Sequence, residues 1–276
     1  MPDPLEFPAP QDLAAQLALR LPDFGHVAWL AETGSSNAEL LNRARALGDS
    51  AARPWLLGAH RQRSARGRAG RAWQNTPGAC LMFSCAFDTR LQGATLPSLS
   101  PLIGLATCES LRALAGDQAG RLQVKWPNDL QIDDAKLAGV LVETVRNGTG
   151  ARAGQVVVIG IGINLTGGTE LSQALQRPIA DWALLQATAA LPDLIAAMAL
   201  AWQSAIGQLE SAGFDRMLER YARIDALAGH CVDVLDQGRL LHRGQASGLD
   251  VHGRLLVHTA AGCIPIAVGE VSVRKP

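Results

Sequence analysis

The segment Lys125–Gly139, KWPNDLQIDDAKLAG, decides how the chain is read. Of the 25 Lys and Arg residues only three are lysine, namely Lys125, Lys136 and Lys275, and two of them fall inside this one segment. Arginine carries the positive charge almost everywhere else, so a compact ammonium is wanted here in place of a planar fork. Pro127 fixes φ and presents Asn128 and Asp129 in a set direction at a strand end. An amide beside a carboxylate suits a hard cation such as Mg2+ or recognition of a nucleotide. Pro-Asn-Asp is equally good chemistry for a strand-to-hairpin turn. Lys136 opens the apolar run KLAGVLVE, where a lysine can snorkel or sit between two anions. Each such contact near 4 Å is worth roughly 4 kcal/mol at an effective dielectric of about 20, before desolvation. Gly139 permits close backbone approach.

Working outward, LQVKWPND, KLAGVLVETV and QVVVIGIGINL read as three strands, β-branched and continuous, therefore buried. The DDA between the first two predicts a tight hairpin. Upstream, GSSNAELLNRARALG reads as a helix: Ser35, Ser36 and Asn37 offer capping oxygens, Leu40, Leu41, Ala44 and Leu47 form the apolar face, and Gly48 ends it. PWLLGAH and CLMFSCAF read as strands, and SPLIGLATCESLRALAG as a helix capped by Ser100 with Pro101 in its first turn. Ala- and Leu-rich residues from about Ile179 to Tyr221 read as helical, broken at Pro192. From about Asp225 the texture changes to short strands separated by Gly and Asp turns, a small all-β module. The expected organisation is α+β: residues 1–224 form a mixed sheet packed by helices, and residues 225–276 a small β-barrel.

The bulk properties exclude several classes. The 276 residues carry no net charge, so any basic site is local. Five cysteines without a C-x-x-C pattern give neither a disulfide framework nor a structural zinc site, and predict buried thiols in a reducing, cytoplasmic setting. The start, MPDPLEFPAP, is the opposite of a secretory signal. The apolar run Leu194–Trp202 is too short to span a membrane. There is no G-x-x-x-x-G-K-[ST], no G-x-S-x-G and no H-E-x-x-H. The G-x-G of VVVIGIGINL has Leu165 where a dinucleotide fingerprint needs glycine; its glycines let a ligand lie against the strand, which ends in Asn164.

The segment HRQRSARGRAGRAW crowds His60, Arg61, Arg63, Arg66, Arg68 and Arg71 around Gly67 and Gly70. Guanidinium forks on a glycine-permissive backbone match phosphates and carboxylates, and a bound anion would order such a loop. The same residues would also serve as a nucleic-acid arm, which predicts steeply salt-dependent binding.

Together, QRSARGRAGRAW (Gln62–Trp73), KWPNDL, KLAGVLVE, GIGINL and the C-terminal GQASGLDVHGRLLV and GEVSVR resemble, in order and spacing, the biotin protein ligases. The resemblance covers about Gly34 to Arg274. It implies a fold like that of class II synthetases, with an SH3-like barrel at the C-terminus. It implies ATP-dependent activation of biotin to biotinyl-5′-AMP, with Mg2+. The acyl group would then pass to a lysine on the biotin carboxyl carrier domain of acetyl-CoA carboxylase or a related carboxylase. Lys136, Arg66 and Arg68 would be catalytic. Ser35, Ser36, Asn37, Gln62, Gly67 and Gly139 would join them around biotin. Trp73, Asn128, Asp129, Asn164 and Arg274 would lie near the nucleotide, and Asn128 and Asp129 near the metal. Two departures stand out: Ala65 replaces a usual glycine, restricting positive φ, and Arg63 replaces a frequent threonine. The roughly 34 residues before the biotin segment leave no room for a winged helix-turn-helix, so a monofunctional ligase, monomeric or homodimeric, is expected. A lipoate or octanoate transferase of the same fold is the nearest rival; its Arg-Arg-x-x-Gly-Gly-Gly loop is absent.

Overall fold

The computed structural model describes residues 7–48, 51–74, 76–147, 154–269 and 272–275. Most of the proline-rich start, and Glu270 and Val271 of GEVSVR, lie outside these residues. The elements in chain order are α1 (Pro10–Arg20), β1 (His26–Thr33), α2 (Ser36–Leu47), β2 (Trp55–Gln62), β3 (Cys80–Thr89), α3 (Leu99–Leu114), β4 (Leu122–Lys125), β5 (Asp129–Ile132), β6 (Ala135–Asn147), β7 (Gly154–Asn164), α4 (Gly168–Leu175), α5 (Leu191–Ala212), α6 (Leu218–Ala222), β8 (Cys231–Asp236), β9 (Arg239–Leu249), β10 (Leu255–Thr259), β11 (Gly262–Ile266) and β12 (Ser272–Arg274). The first seven strands form one mixed sheet in the order β1-β2-β3-β7-β6-β5-β4, with β1 and β2 parallel and the other pairs antiparallel.

β7 shows why the continuous apolar runs are buried on both faces. Side chains alternate along a strand. Val157, Ile159, Ile161 and Ile163 enter the main core with α3 and α5, while Val156 and Val158 face Leu40, Leu41 and Ala44 of α2. Phe83 of β3 stacks on Trp202 of α5 with ring centroids 5.2 Å apart. On the α2 face the next two positions of β7 are Gly160 and Gly162. The layer of side chains stops there, and that is where the sheet opens.

The C-terminal strands form a five-stranded antiparallel sheet, β11-β10-β9-β8-β12, as expected of the small SH3-like barrel. Its core is Leu227, Val232, Val234, Ala246, Leu255, Val257, Ile266 and Val273, and Trp126 of the KWPND segment is buried among them. The Trp126 indole also donates to the Gly253 carbonyl at 3.0 Å. The connection to the barrel runs along the edge of the large sheet, with Val124 N–H donating to Ile224 O and Ala226 N–H to Val124 O at 2.8 and 2.9 Å. Trp126→Ala therefore removes the side chain that keys the barrel to the sheet. Deleting a buried aromatic costs about 3–5 kcal/mol, and a loss of that size in urea denaturation, with weaker retention of Arg68 against the barrel, is the expected outcome.

Several expectations are corrected. LQVKWPND is not one strand: β4 ends at Lys125, the chain turns through a cis Trp126–Pro127 peptide, and β5 begins at Asp129. Pro192 starts α5 instead of breaking a helix, because a residue without N–H and with fixed φ fits a first turn. Ser98, not Ser100, occupies the N-cap of α3, and Ser100 is buried inside the helix. Cys231 and Cys263 are exposed; only Cys80, Cys85 and Cys108 are buried. Elements α1, β1 and α4 had no counterpart in the reading of the sequence. No helix among the described residues is long and apolar enough to cross a membrane.

Candidate active site

The opening above Gly160 and Gly162 is a pocket whose floor is a chain of polar contacts. Ser35 caps α2, its Oγ accepting from Ala38 N–H at 3.5 Å. Ser36 N–H donates to Gln62 Oε1 at 3.1 Å, and Gln62 Nε2 donates to Ser36 Oγ at 3.0 Å. Ser36 Oγ meets Ser84 Oγ at 2.6 Å, and Ser84 Oγ donates to Asn37 Oδ1 at 2.5 Å. Asn37 Nδ2 donates to Glu143 Oε2 at 2.9 Å, while Arg66 donates to Glu143 Oε1 at 3.2 Å. Glu143 thus ties the floor to the basic loop.

That loop folds over the pocket. It is closed by Gly67 N–H to Arg71 O at 2.8 Å and Trp73 N–H to Ala65 O at 2.9 Å. The Arg68 guanidinium donates to Asn128 Oδ1 at 3.0 Å and to the Gly269 carbonyl, joining the loop to the KWPND turn and the barrel. Burial lowers the pKa of Arg68, with Asp129 opposing and Arg71 reinforcing the shift. The left-handed positions of the loop are Ala69 (φ 53°) and Gly70 (φ 68°). Ala65 is not among them, so its replacement of glycine introduces no strain. Arg63 pairs with Glu32 at 3.3 Å, and Arg61 with the same carboxylate at 3.2 Å. Arg61, Arg63, Arg66 and Arg68 are all paired within the chain, the side chains of Arg61 and Arg63 remaining more than half exposed.

One wall is the Trp73 indole, which lies over two glycines. A Cβ on Gly162 would come within 2.5 Å of the indole and one on Gly139 within 3.1 Å. Trp73 Nε1 donates to Cys80 Sγ at 3.3 Å. Burial pushes the Cys80 thiol up to about 12, which keeps it a passive acceptor. Lys136 Nζ stands 5.5 Å from the Trp73 ring centroid and 2.6 Å from Asp129 Oδ1. The main chain of Lys136 is clamped from N–H to Pro178 O (3.1 Å) and from Ala180 N–H to its own carbonyl (2.9 Å).

Ser35, Ser36, Asn37, Gln62, Arg66, Gly67, Arg68, Trp73, Asn128, Asp129, Lys136 and Gly139 all line this one pocket. Asn164 and Arg274 do not. Asn164 donates to Ala180 O at 3.1 Å and to Lys136 O at 3.4 Å, so it holds the backbone beneath Lys136. Arg274 sits on β12 opposite Asp233 and reaches the site electrostatically: burial lowers the pKa of Lys125, and Arg274 is among the cations that add to the shift. Glu143, Ser84 and Arg177 belong to the site though no motif in the sequence marks them, and Lys125, the other lysine of the opening segment, lines it too. Period two would have found Glu143, which is in phase with Gly139 and Leu141 along β6. Glu143→Ala leaves both Arg66 and the Asn37 amide without their shared acceptor. A roughly tenfold higher KM for the small-molecule acid held on this floor is expected, in line with the 1.5–3 kcal/mol typical of hydrogen bonds to charged groups, as read by initial rates.

As a metal site the residues fit only in part. No cluster of three His, Cys, Asp or Glu side chains occurs among the described residues. Asn128 has its amide oxygen committed to Arg68 and its nitrogen to Val140 O. Asp129 remains the oxygen donor that suits a Mg2+ ion held chiefly by phosphates.

The pocket therefore gathers cations, a glycine bed and a dense polar floor, the equipment for an anionic acid and a nucleotide. Known proteins agree with this chemistry. The Biotin/lipoate A/B protein ligase family model matches residues 42–164. The bifunctional ligase/repressor BirA of Salmonella typhimurium is 32% identical, covering 100% of this chain and 81% of its own length. The biotin–[acetyl-CoA-carboxylase] ligase of Paracoccus denitrificans is 33% identical over 88% of this chain and 98% of its own. In fold, the biotin protein ligase of Aquifex aeolicus in complex with biotin and ATP superimposes with a TM-score of 0.71 at 22% identity, covering 90% of this chain and 98% of that one. With these relatives spanning the polar floor, the basic loop and the barrel alike, the chain belongs to the biotin protein ligase family.

Proposed function

We propose that this chain is an ATP-dependent biotin–[biotin carboxyl-carrier protein] ligase. A carboxylate oxygen of biotin attacks the α-phosphorus of ATP, pyrophosphate leaves, and biotinyl-5′-AMP forms. A lysine amine of a carrier domain then attacks the acyl carbon, and AMP leaves. The observation that carries this reading is the convergence of Lys136, Arg66 and Arg68 on one pocket whose opposite side is the Ser36–Asn37–Gln62–Ser84 floor. Two anions must meet there, and fixed cations cancel their repulsion without reorganising water.

Ser35, Ser36, Asn37 and Gln62 suit the polar ring of biotin, Gly139 suits its chain, and the Trp73 face suits the nucleotide. Lys136, with three rotatable donors, would bridge the carboxylate and the α-phosphate; a planar fork could not serve both directions at once. Arg66 and Arg68 would hold the loop over the adenylate and shield the mixed anhydride from water. Asn128 and Asp129 face the nucleotide side, while Asn164 and Arg274 support it from outside the pocket. Mg2+ would enter with the nucleotide and be held by Asp129, supplying charge neutralisation at the phosphates. Residues 1–224 form the catalytic unit and residues 225–276 the barrel that completes it. The setting is cytoplasmic, and the partner is the carrier domain of acetyl-CoA carboxylase or a related carboxylase.

Biotin-dependent exchange of labelled pyrophosphate into ATP, with Mg2+ and no carrier, isolates the first half-reaction. Exchange with biotin but not with lipoate or octanoate is expected. Absence of exchange with every acid, from folded protein, would overturn the assignment.

A further inference from the structure

Lys125 is the one lysine of the pocket that the reaction as described leaves idle. It lies on β4 directly opposite Asp129 of β5, and directly opposed residues of an antiparallel pair project to the same face. Asp129 is in turn opposite Gly139 of β6 and is held by Lys136 at 2.6 Å. Asp129 therefore stands between two ammonium groups, both lining the same pocket. Only one of them is bonded to it. No hydrogen bond or ion pair joins the Lys125 ammonium to any other described residue.

That asymmetry matters once the reacting anions arrive. Lys136 is proposed above to bridge the carboxylate and the α-phosphate, and the present inference rests on that assignment. The Lys136 ammonium is engaged by Asp129, so a third anion competes with the two substrate anions for one cation. The competition is relieved if the Asp129 oxygen bonded to Lys136 has another cation to turn to, the second oxygen of the carboxylate staying available to Mg2+. We propose that Lys125 is a positioning residue that takes over Asp129 as Lys136 turns to the substrate, so that the carboxylate is handed from one lysine to the other. The handover requires a short lateral movement of side chains that already share a face, and no movement of the backbone. It also accounts for the second lysine of the opening segment. A flexible stem ending in a compact charge can follow a carboxylate, whereas a fork with fixed planar geometry would already be committed to a bidentate partner.

The test is a double-mutant cycle between Lys125→Met and Asp129→Asn. It is read in the affinity for an unreactive sulfamate analogue of biotinyl-5′-AMP, so turnover is not needed. With Asp129 present, Lys125→Met should weaken binding about tenfold, because Asp129 keeps its hold on Lys136. In the Asp129→Asn background the same change should alter binding less than twofold, because nothing is left to hand over. Equal losses in both backgrounds would mean that Lys125 binds phosphate directly or only supports the fold, and would sink the handover. So would no loss in either. Pyrophosphate exchange by the unmodified enzyme is measured alongside: its presence with additive mutant effects removes only the role given to Lys125, and its absence removes the ligase assignment with it.

Discussion

Lys136→Ala is expected to abolish biotin-dependent pyrophosphate exchange, by about a thousandfold or more, in a protein that still folds. A single ammonium–anion contact near 4 Å is worth roughly 4 kcal/mol at an effective dielectric of about 20, which is about three orders of magnitude in rate. The substitution does more than delete a cation. Asp129, bonded to Lys136 Nζ at 2.6 Å, loses that partner and faces the incoming anions as a like charge. The fold should survive because what secures this stretch of β6 is its main chain, hydrogen-bonded to Pro178 and Ala180 and supported by Asn164. Lys136→Arg should recover little, since a planar fork cannot serve the carboxylate and the α-phosphate from one point. Exchange rates together with a thermal melt decide the matter, and near-normal turnover by Lys136→Ala would refute the role given to this lysine.

The large sheet was legible where local chemistry dictates the outcome. The run Val156–Ile163 could be little else than a strand buried on both faces, and Asp133 and Asp134, both at positive φ, form the hairpin turn that DDA announced. Leu13 and Leu17, one turn apart behind Pro10, carry the same kind of signal for α1, masked by the proline-rich context. What could not be read were consequences of long-range packing. Trp126 looked like part of a binding motif, yet its side chain belongs to the core of the barrel, whose nearest strand begins about a hundred residues later. Within the site, loop, lysine and polar floor were nameable because they sit in contiguous motifs. Ser84 was not, because it is an isolated hydroxyl in the apolar run CLMFSCAF, and Glu143, although in phase with Gly139, acquires its partners only when α2 is laid across the sheet. Asn164 has the right chemistry for a ligand contact, but its two amide hydrogens are spent on backbone carbonyls.

The position where α2 crosses the sheet also sets the second large effect, the loss of biotin recognition in Gly160→Ala. Gly160 lies on β7 directly beneath the Asn37 side chain. A methyl group there would stand 2.2 Å from Asn37 Oδ1, 2.9 Å from Asn37 Cγ and 3.0 Å from Ser84 Oγ. Asn37 cannot yield easily, since Glu143 holds its nitrogen at 2.9 Å and Ser84 its oxygen at 2.5 Å. Nor can Ser84 move away, being bonded to Ser36 at 2.6 Å and fully in the β3–β7 ladder. The methyl group therefore displaces the amide and breaks several hydrogen bonds of the floor together. Each buried polar group left unmatched costs about 1–3 kcal/mol, so losing two of them should raise the KM for biotin about a hundredfold. The KM for ATP should change little, because Lys136, Asp129 and Arg68 lie on the other side of the pocket. Pyrophosphate exchange titrated separately with biotin and with ATP measures both. An unchanged KM for biotin would show that the acid does not rest on this floor, and a parallel rise in both constants would show that the substitution had disturbed the sheet and not the recognition of biotin.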